Sequence, residues 1–293
     1  MMMAAAATPF ASPLAAANER SLGGHLSVRE ACKTYDPDGA CVEALKDCSL
    51  DVDAGAFVAV VGPSGCGKTT LLNMIAGFDT LSAGEIRMDG RALARPDRRP
   101  RPGPDRVVVF QNGALFPWKT VLENVSYGPV RQKVLSRREA QKKAVDLLRR
   151  CNLHNVVGAY PAQLSSGMQR RVEIARALMN EPKVLLLDEP FRAMDTVTKT
   201  AMHQHLLEMY RMSRKTVLFI THDLEEAIYL ADTVIVMTTR PGTIKLVINV
   251  KLERPRHPRI LFSPEYLELK RQAAQSIHEE ARKAFERGER EQV

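Results

Sequence analysis

Phe57-Val58-Ala59-Val60-Val61 followed by Gly62-Pro63-Ser64-Gly65-Cys66-Gly67-Lys68-Thr69 is the stretch on which the fold turns. Five unbroken apolar residues fit a strand buried on both faces, as in a parallel sheet. The next eight fit G-x-x-x-x-G-K-[ST], a pattern that carries meaning when a strand precedes it and a helix follows. A helix is predicted from about Lys68 to Ala76, closed by Gly77. Glycines let successive backbone N–H groups turn inward around phosphate oxygens. The helix N-terminus adds partial positive charge. Lys68 is placed to reach β- and γ-phosphates, and the Thr69 hydroxyl to bind Mg²⁺. Cys66 lies where that same helix end should favour its thiolate.

Working outward, Val184-Leu185-Leu186-Leu187-Asp188-Glu189 reads as a second buried strand. It delivers Asp188 to its C-terminal end, where a carboxylate can hold Mg²⁺ through its water shell. Glu189, one residue on, can orient and deprotonate a water. Leu26 to Val61 alternates as strands do, with turns at Asp36–Gly39 and Asp53–Gly55. Arg91 to Arg106 reads as a Pro/Arg-rich loop, and Arg106 to Phe110 returns to strand. Ser136 with Glu139 forms a capping box for a helix to about Cys151. A further helix runs from near Ser166 to before Glu181-Pro182. Thr216–Ile220 and Thr233–Met237 are strand-like and flank a short helix, Leu224–Leu230. One more strand follows Arg240-Pro241-Gly242. Alternating strands and helices indicate an α/β fold with a parallel sheet covered on both faces. Residues 112–180 have little strand character and read as a helical insertion. Ser263-Pro264 starts a long C-terminal helix of mixed charge, expected to pack along one stripe through sparse apolar positions such as Leu267, Ile277 and Phe285. The expected division is a disordered extension over 1–24, the main domain over 25–255, and a helical extension over 256–293.

The 293 residues carry 42 Lys and Arg against 34 Asp and Glu, a net charge of +8 that favours anionic company. No apolar run approaches the roughly 18 residues of a membrane span, so a membrane role has to come through partners. The five cysteines lack C-x-x-C spacing and read as reduced thiols. The Ala-rich start has no Lys or Arg before its apolar part, unlike a secretory signal. Six arginines lie between Arg91 and Arg106 without aromatic interleaving or a nucleic-acid module, so a solvated loop, near anionic lipid, is expected there.

Leu164-Ser165-Ser166-Gly167-Met168-Gln169 brings in a family. Here the chain resembles the ABC ATPases, whose signature is usually written L-S-G-G-Q. Ser166 and Met168 depart from it; Ser165 and Gly167 are kept, and by resemblance contact the γ-phosphate. Gln111 is similar to the family's Q-loop glutamine, linking Mg²⁺ to the transporter contact. His222 is similar to the switch histidine that senses the γ-phosphate, and Asp195 to the D-loop aspartate, although Arg192 and Met194 replace the commoner Gly and Leu. Tyr35 is similar to the aromatic residue that stacks on adenine, and Thr70 falls with the nucleotide-binding residues. The resemblance spans about Leu26 to Val250. Gly103-Pro104-Asp105-Arg106, Gln111-Asn112 and Leu115-Phe116-Pro117-Trp118 look like the importer ATPases for nitrate, sulfonates and taurine. Trp118 either packs in the helical subdomain or, by resemblance, lies on a loop facing the membrane subunit.

The resemblance implies a P-loop NTPase core with a mainly parallel sheet, an antiparallel β subdomain and an inserted helical subdomain. It implies ATP and Mg²⁺, a second copy of the chain completing each site, membrane permease subunits, a separate solute-binding protein, and a peripheral place on the cytoplasmic face of the inner membrane, with no nucleic acid. Non-transport ABC ATPases acting on DNA or ribosomes are the rival class. They usually carry coiled-coil arms or two ATPase units, whereas this chain has one unit and no sustained heptads. A scaffold without turnover is disfavoured by intact Glu189 and His222.

Overall fold

The computed structural model describes residues 23–192 and 194–286. Most of the expected N-terminal extension therefore lies outside the described residues, but its last two residues belong to the body. The Gly24 N–H donates to the Lys183 carbonyl at 3.2 Å, and the Gly24 carbonyl accepts from Thr216 Oγ1 at 2.7 Å.

Four strands, β1 (Leu26–Tyr35), β2 (Val42–Val52), β4 (Ala83–Met88) and β5 (Arg91–Ala94), form an antiparallel sheet in the order β2-β1-β4-β5. Six more, β3 (Phe57–Val61), β6 (Arg106–Val109), β7 (Val184–Asp188), β8 (Thr216–Ile220), β9 (Thr233–Met237) and β10 (Ile244–Asn249), form the large sheet in the order β10-β9-β3-β8-β7-β6. It is parallel except for β10.

Side chains alternate across a strand, and β3 divides the interior accordingly. Val58 and Val60 join the core made with the antiparallel sheet and α1 (Lys68–Ala76). Phe57, Ala59 and Val61 join the core made with the remaining helices. The helical insertion comprises α2 (Val121–Arg131), α3 (Arg137–Arg150) and α4 (Ser166–Leu178). Capping boxes at Thr120/Glu123 and Ser136/Glu139 fix the first two. On the body, α5 (Thr196–Ser213), α6 (Leu224–Leu230) and α7 (Pro264–Glu286) follow.

Three expectations need correction. Arg91–Ala94 is a strand at the sheet edge, not loop, and two of the arginines of this segment are engaged: Arg95 pairs with Glu85, and buried Arg106 donates to the carbonyls of Ile75 and Arg101. Arg91, Arg98, Arg99 and Arg101 remain exposed to solvent. The buried stripe of α7 runs through Tyr266, Ala273, Ser276 and Glu280, while Leu267 is 53% exposed. Ile277 packs partly against the core, and the Phe285 side chain lies outside the described residues. Trp118 is 70% exposed and meets Phe116 at a ring separation of 5.7 Å, so it is not a core residue of the helical subdomain.

Candidate active site

Strand register brings the functional segments level. Val60 pairs with Ile220, Ile220 with Asp188, and Leu187 with Val109. The segments leaving these strands, Gly62–Thr69, Glu189, His222 and Gln111, thus emerge along one C-terminal sheet edge, where open α/β sheets bind ligands.

Gly65 and Gly67 hold φ of +77° and +89°, conformations that favour glycine and let the loop curl. Lys68 is only 6% exposed, and its ammonium donates to the carbonyls of Gly62 (2.8 Å) and Pro63 (2.9 Å). A buried ammonium needs such acceptors, and these two hold it at the mouth of the loop. Cys66 departs from expectation. Its thiol is 1% exposed, and burial pushes its pKa up despite the Lys68 charge 3.6 Å away. Desolvation here runs against the thiolate expected from the helix end.

Thr69 Oγ1 lies 3.3 Å from Asp188 Oδ1. Burial raises the Asp188 carboxyl above its usual range; the Thr69 hydroxyl works against this, while the neighbouring Glu189 adds to it. A hydroxyl and a partly desolvated carboxylate side by side fit a hard divalent cation that takes its remaining ligands from phosphate and water. Among the described residues no cluster of three or more His, Cys, Asp or Glu could cage a metal.

Glu189 adopts φ +42° just past β7, its N–H donating to the Ile220 carbonyl at 2.9 Å. This αL conformation turns the side chain along the edge. Its Oε2 lies 3.2 Å from His222 Nδ1 and accepts from the Arg192 guanidinium at 3.3 Å. Arg192, the residue standing where Gly is commoner, thus supplies a cationic partner to the acid.

At the other end of the loop, the Tyr35 hydroxyl donates to Asp79 Oδ2 at 2.6 Å and lies 3.4 Å from Thr70 Oγ1. The Lys33 ammonium donates to the other Asp79 oxygen at 2.5 Å and stands 4.7 Å from the Tyr35 ring centroid. Against the burial that would raise it, the hydrogen bonds from Lys33, Tyr35 and Thr80 hold the Asp79 carboxyl below its ordinary range. Lys33 and Asp79 escaped the sequence reading, because no spacing links them to the phosphate loop.

Ser165, Gly167 and Asp195 are not brought to this cluster. Ser165 Oγ caps α4 by accepting from the Met168 N–H, Gly167 faces Thr198 of α5, and the Asp195 carboxylate caps α5 by accepting from Val197 and Thr198. Gln111 is tied to α4 through its backbone. The buried Arg170 guanidinium donates to the carbonyls of Phe110 and Gln111 (2.6 Å each) and to Glu173, whose other oxygen accepts from the Ala114 N–H at 2.6 Å. Arg176 adds a bond to the Ala114 carbonyl at 2.8 Å. These braces were also invisible in the sequence.

Residues 45–192 match the profile of the ABC transporter family. The taurine import ATP-binding protein of Rhizobium johnstonii is 43% identical over 247 residues, 82% of this chain and 91% of that protein. The bicarbonate transport ATP-binding protein of a Synechocystis strain is 39% identical over 272 residues, 92% of this chain and 94% of that one. A dimeric ATP-binding cassette solved in a post-hydrolysis state with ADP and phosphate superimposes with a TM-score of 0.64 at 31% identity, covering 78% of this chain and all of that one. The chain belongs to the ABC transporter family. It is an ATP-binding, ATP-hydrolysing cassette, and its two sheets and helical insertion are those of that fold.

Proposed function

We propose that this chain is the ATPase subunit of an importer of the nitrate, sulfonate and taurine type, working as a pair on the cytoplasmic face of the membrane beneath permease subunits fed by a solute-binding protein. The observation that carries the reading is the convergence of Lys68, Thr69, Asp188, Glu189 and His222 on one sheet edge, in a chain 43% identical to a taurine import subunit. The ATPase domain is taken as residues 25–255 with its helical subdomain at 112–180, followed by the C-terminal extension 256–293.

In this mechanism the loop from Gly62 through Ser64 to Thr70 holds the phosphates by its N–H groups, and Tyr35 stacks on the base. Lys68 leaves its two carbonyl acceptors for the β- and γ-phosphates. Thr69, Asp188 and Gln111 would hold Mg²⁺, which when bound would supply positive charge to stabilise the transferred phosphoryl group. Glu189 takes the proton of the attacking water as its oxygen adds to the γ-phosphorus and the bond to the bridging oxygen breaks. His222 orients that carboxylate and faces the γ-phosphate. Ser165 and Gly167, with Asp195, complete the partner's site.

Co-expression with a neighbouring membrane subunit tests this reading. The chain should co-purify with it and release phosphate faster when the loaded binding protein is added. Co-purification with nucleic acid instead, with turnover stimulated by it, would move the chain to the non-transport ABC ATPases.

A further inference from the structure

The phosphate loop has two sides. Its inner side faces the nucleotide, and its outer side presents the carbonyls of Gly65 and Cys66 to a wall made from elsewhere in the chain. One part of that wall is the turn 238–243 between β9 and β10. This turn is closed on itself: Thr238 N–H donates to the Thr243 carbonyl (2.9 Å), Thr243 N–H to Thr238 Oγ1 (2.9 Å), and Thr238 Oγ1 to the Pro241 carbonyl (3.0 Å). Such cross-bonding makes it move as a unit.

The turn meets the phosphate loop at two points. Arg240 Nε points at the Gly65 carbonyl at 3.5 Å, and Gly242 lies so close that a Cβ there would collide with the Cys66 carbonyl oxygen. Gly242 is also stitched to β2, its N–H donating to the Ala44 carbonyl and its carbonyl accepting from the Lys46 N–H, both at 3.0 Å. The other part of the wall, Ala44 and Leu45, abuts Gly67.

The far side of the turn is held by α7. Glu280 is 2% exposed. Its Oε2 accepts from the Thr239 N–H at 3.3 Å, and its Oε1 pairs with the Lys245 ammonium at 2.9 Å. Lys245 also bonds the Ser276 carbonyl at 3.1 Å and Glu279 at 2.8 Å. A helix that only covered apolar surface would gain nothing from a buried carboxylate, since apolar side chains of similar volume serve a core as well or better. Here the carboxylate reaches a backbone N–H of the turn that backs the phosphate loop.

We propose that Glu280 is a positioning residue for the phosphate loop, acting through the turn 238–243, so that docking of α7 sets the affinity of the cassette for ATP. The inference rests on ATP occupying the loop Gly62–Thr69. The phosphate loop is an irregular segment with two αL glycines, so its phosphate-binding shape depends on what backs it. Loss of one end of the wall lets Gly65 and Cys66 relax outward and disperses the inward N–H groups.

Two double variants isolate the contact. Lys245→Met/Glu280→Gln and Lys245→Met/Glu280→Leu have equal charge and similar volume, but only the first offers the Thr239 N–H an acceptor. The Leu variant should bind ATP about three- to tenfold more weakly than the Gln variant, the worth of one hydrogen bond. Hydrolysis at saturating ATP should differ by no more than about twofold, a binding effect without a chemical one. Equal ATP affinities in the two, whatever their melting temperatures, would overturn the proposal and leave Glu280 a packing residue of α7. Should the Leu variant fail to fold, Gly242→Ala applies the same test from the turn, since its new methyl group must push the turn off Cys66; unchanged ATP affinity there would overturn the proposal as well. Lys68→Ala, measured alongside, keeps the two readings apart: if it binds ATP normally, the phosphates do not sit in this loop, and the ATP reading fails instead.

Discussion

The carboxylate of Glu189 and the imidazole of His222, 3.2 Å apart, are joined across two neighbouring strands of the large sheet, β7 and β8. The acid is therefore held in place from outside its own segment. Glu189→Gln should keep ATP binding and slow hydrolysis by about 10²–10⁴-fold, the contribution of a positioned base. The amide can still hydrogen-bond His222 and Arg192, so the site stays assembled and ATP should trap the closed pair, visible as a dimer on size exclusion. Steady-state phosphate release within threefold of the parent would remove Glu189 from the role.

Lys68→Ala should weaken ATP binding severely and abolish turnover, because the ammonium that bonds the Gly62 and Pro63 carbonyls is the positive charge buried at the mouth of the loop. Isothermal titration with ATP gives the direct reading, and an undiminished affinity would refute the placement.

Asp188 yields a prediction of opposite signs for stability and function. Its folded-state pKa is raised, first by burial, so the native state favours the protonated form more than the unfolded chain does. A group raised in this way contributes stability that is complete below its unfolded pKa and lost as pH rises through the folded one. At neutral pH the charge is thus a liability to the nucleotide-free fold. Asp188→Asn should melt higher than the parent without nucleotide at pH 7, with the gap closing as the pH falls through the raised folded-state pKa and gone below the unfolded value of about 4. It should also lose about 10²-fold or more of its hydrolysis for want of a cation ligand. A lower melting temperature at pH 7 would contradict the sign.

Gly167→Asp tests pairing in trans. A Cβ at Gly167 would approach Thr198 Cγ2 at 3.2 Å, so Gly167→Ala is the steric control. The Asp variant should bind ATP in each chain about as well as the control but lose ATP-driven dimerisation and hydrolysis, because its carboxylate would face the partner's γ-phosphate where water is excluded. A mixed dimer of Gly167→Asp with Lys68→Ala puts both lesions around one nucleotide and should hold a single ATP at the other site. A monomeric Gly167→Asp chain hydrolysing at the parent rate would refute the shared site.

Cys66 should react slowly with a bulky thiol reagent even without ATP, because the thiol is buried and its pKa raised. Exposed Cys41 should be labelled first, which peptide mapping would reveal. Labelling of Cys66 as fast as Cys41 would restore the thiolate expected from the helix end alone.

The strands β3, β7, β8 and β9 were legible because each holds an unbroken run of at least four apolar residues, and α1 because the phosphate-loop pattern demands a helix. Arg91–Ala94 was not: with Arg and two Ala it carries no strand preference, and only pairing with β4 makes it one. Helix α5 also escaped. Its buried positions Met202, Leu206 and Met209 stand among Thr, His and Gln, which favour helix weakly. In the site, residues whose chemistry depends on fixed spacing were readable. Asp79, Lys33, Arg170, Glu173 and Glu280 were not, because they act on backbone atoms or on side chains brought near only by folding.

The Arg170–Glu173 pair has a consequence for timing. Through it, α4 grips the backbone at Phe110, Gln111 and Ala114 with bonds of 2.6 Å, leaving no slack between the segment beside the chain's own nucleotide and the helix that begins at Ser165 and Gly167. In the paired arrangement proposed above, those two segments serve different nucleotides. A shift of Gln111 at one site must then be felt at the other in the same stroke, as in a two-cylinder crank whose pistons cannot fire out of phase. ATP hydrolysis should accordingly be sigmoidal in ATP concentration, and Arg170→Met should flatten the curve toward a hyperbola by unhitching the two pistons.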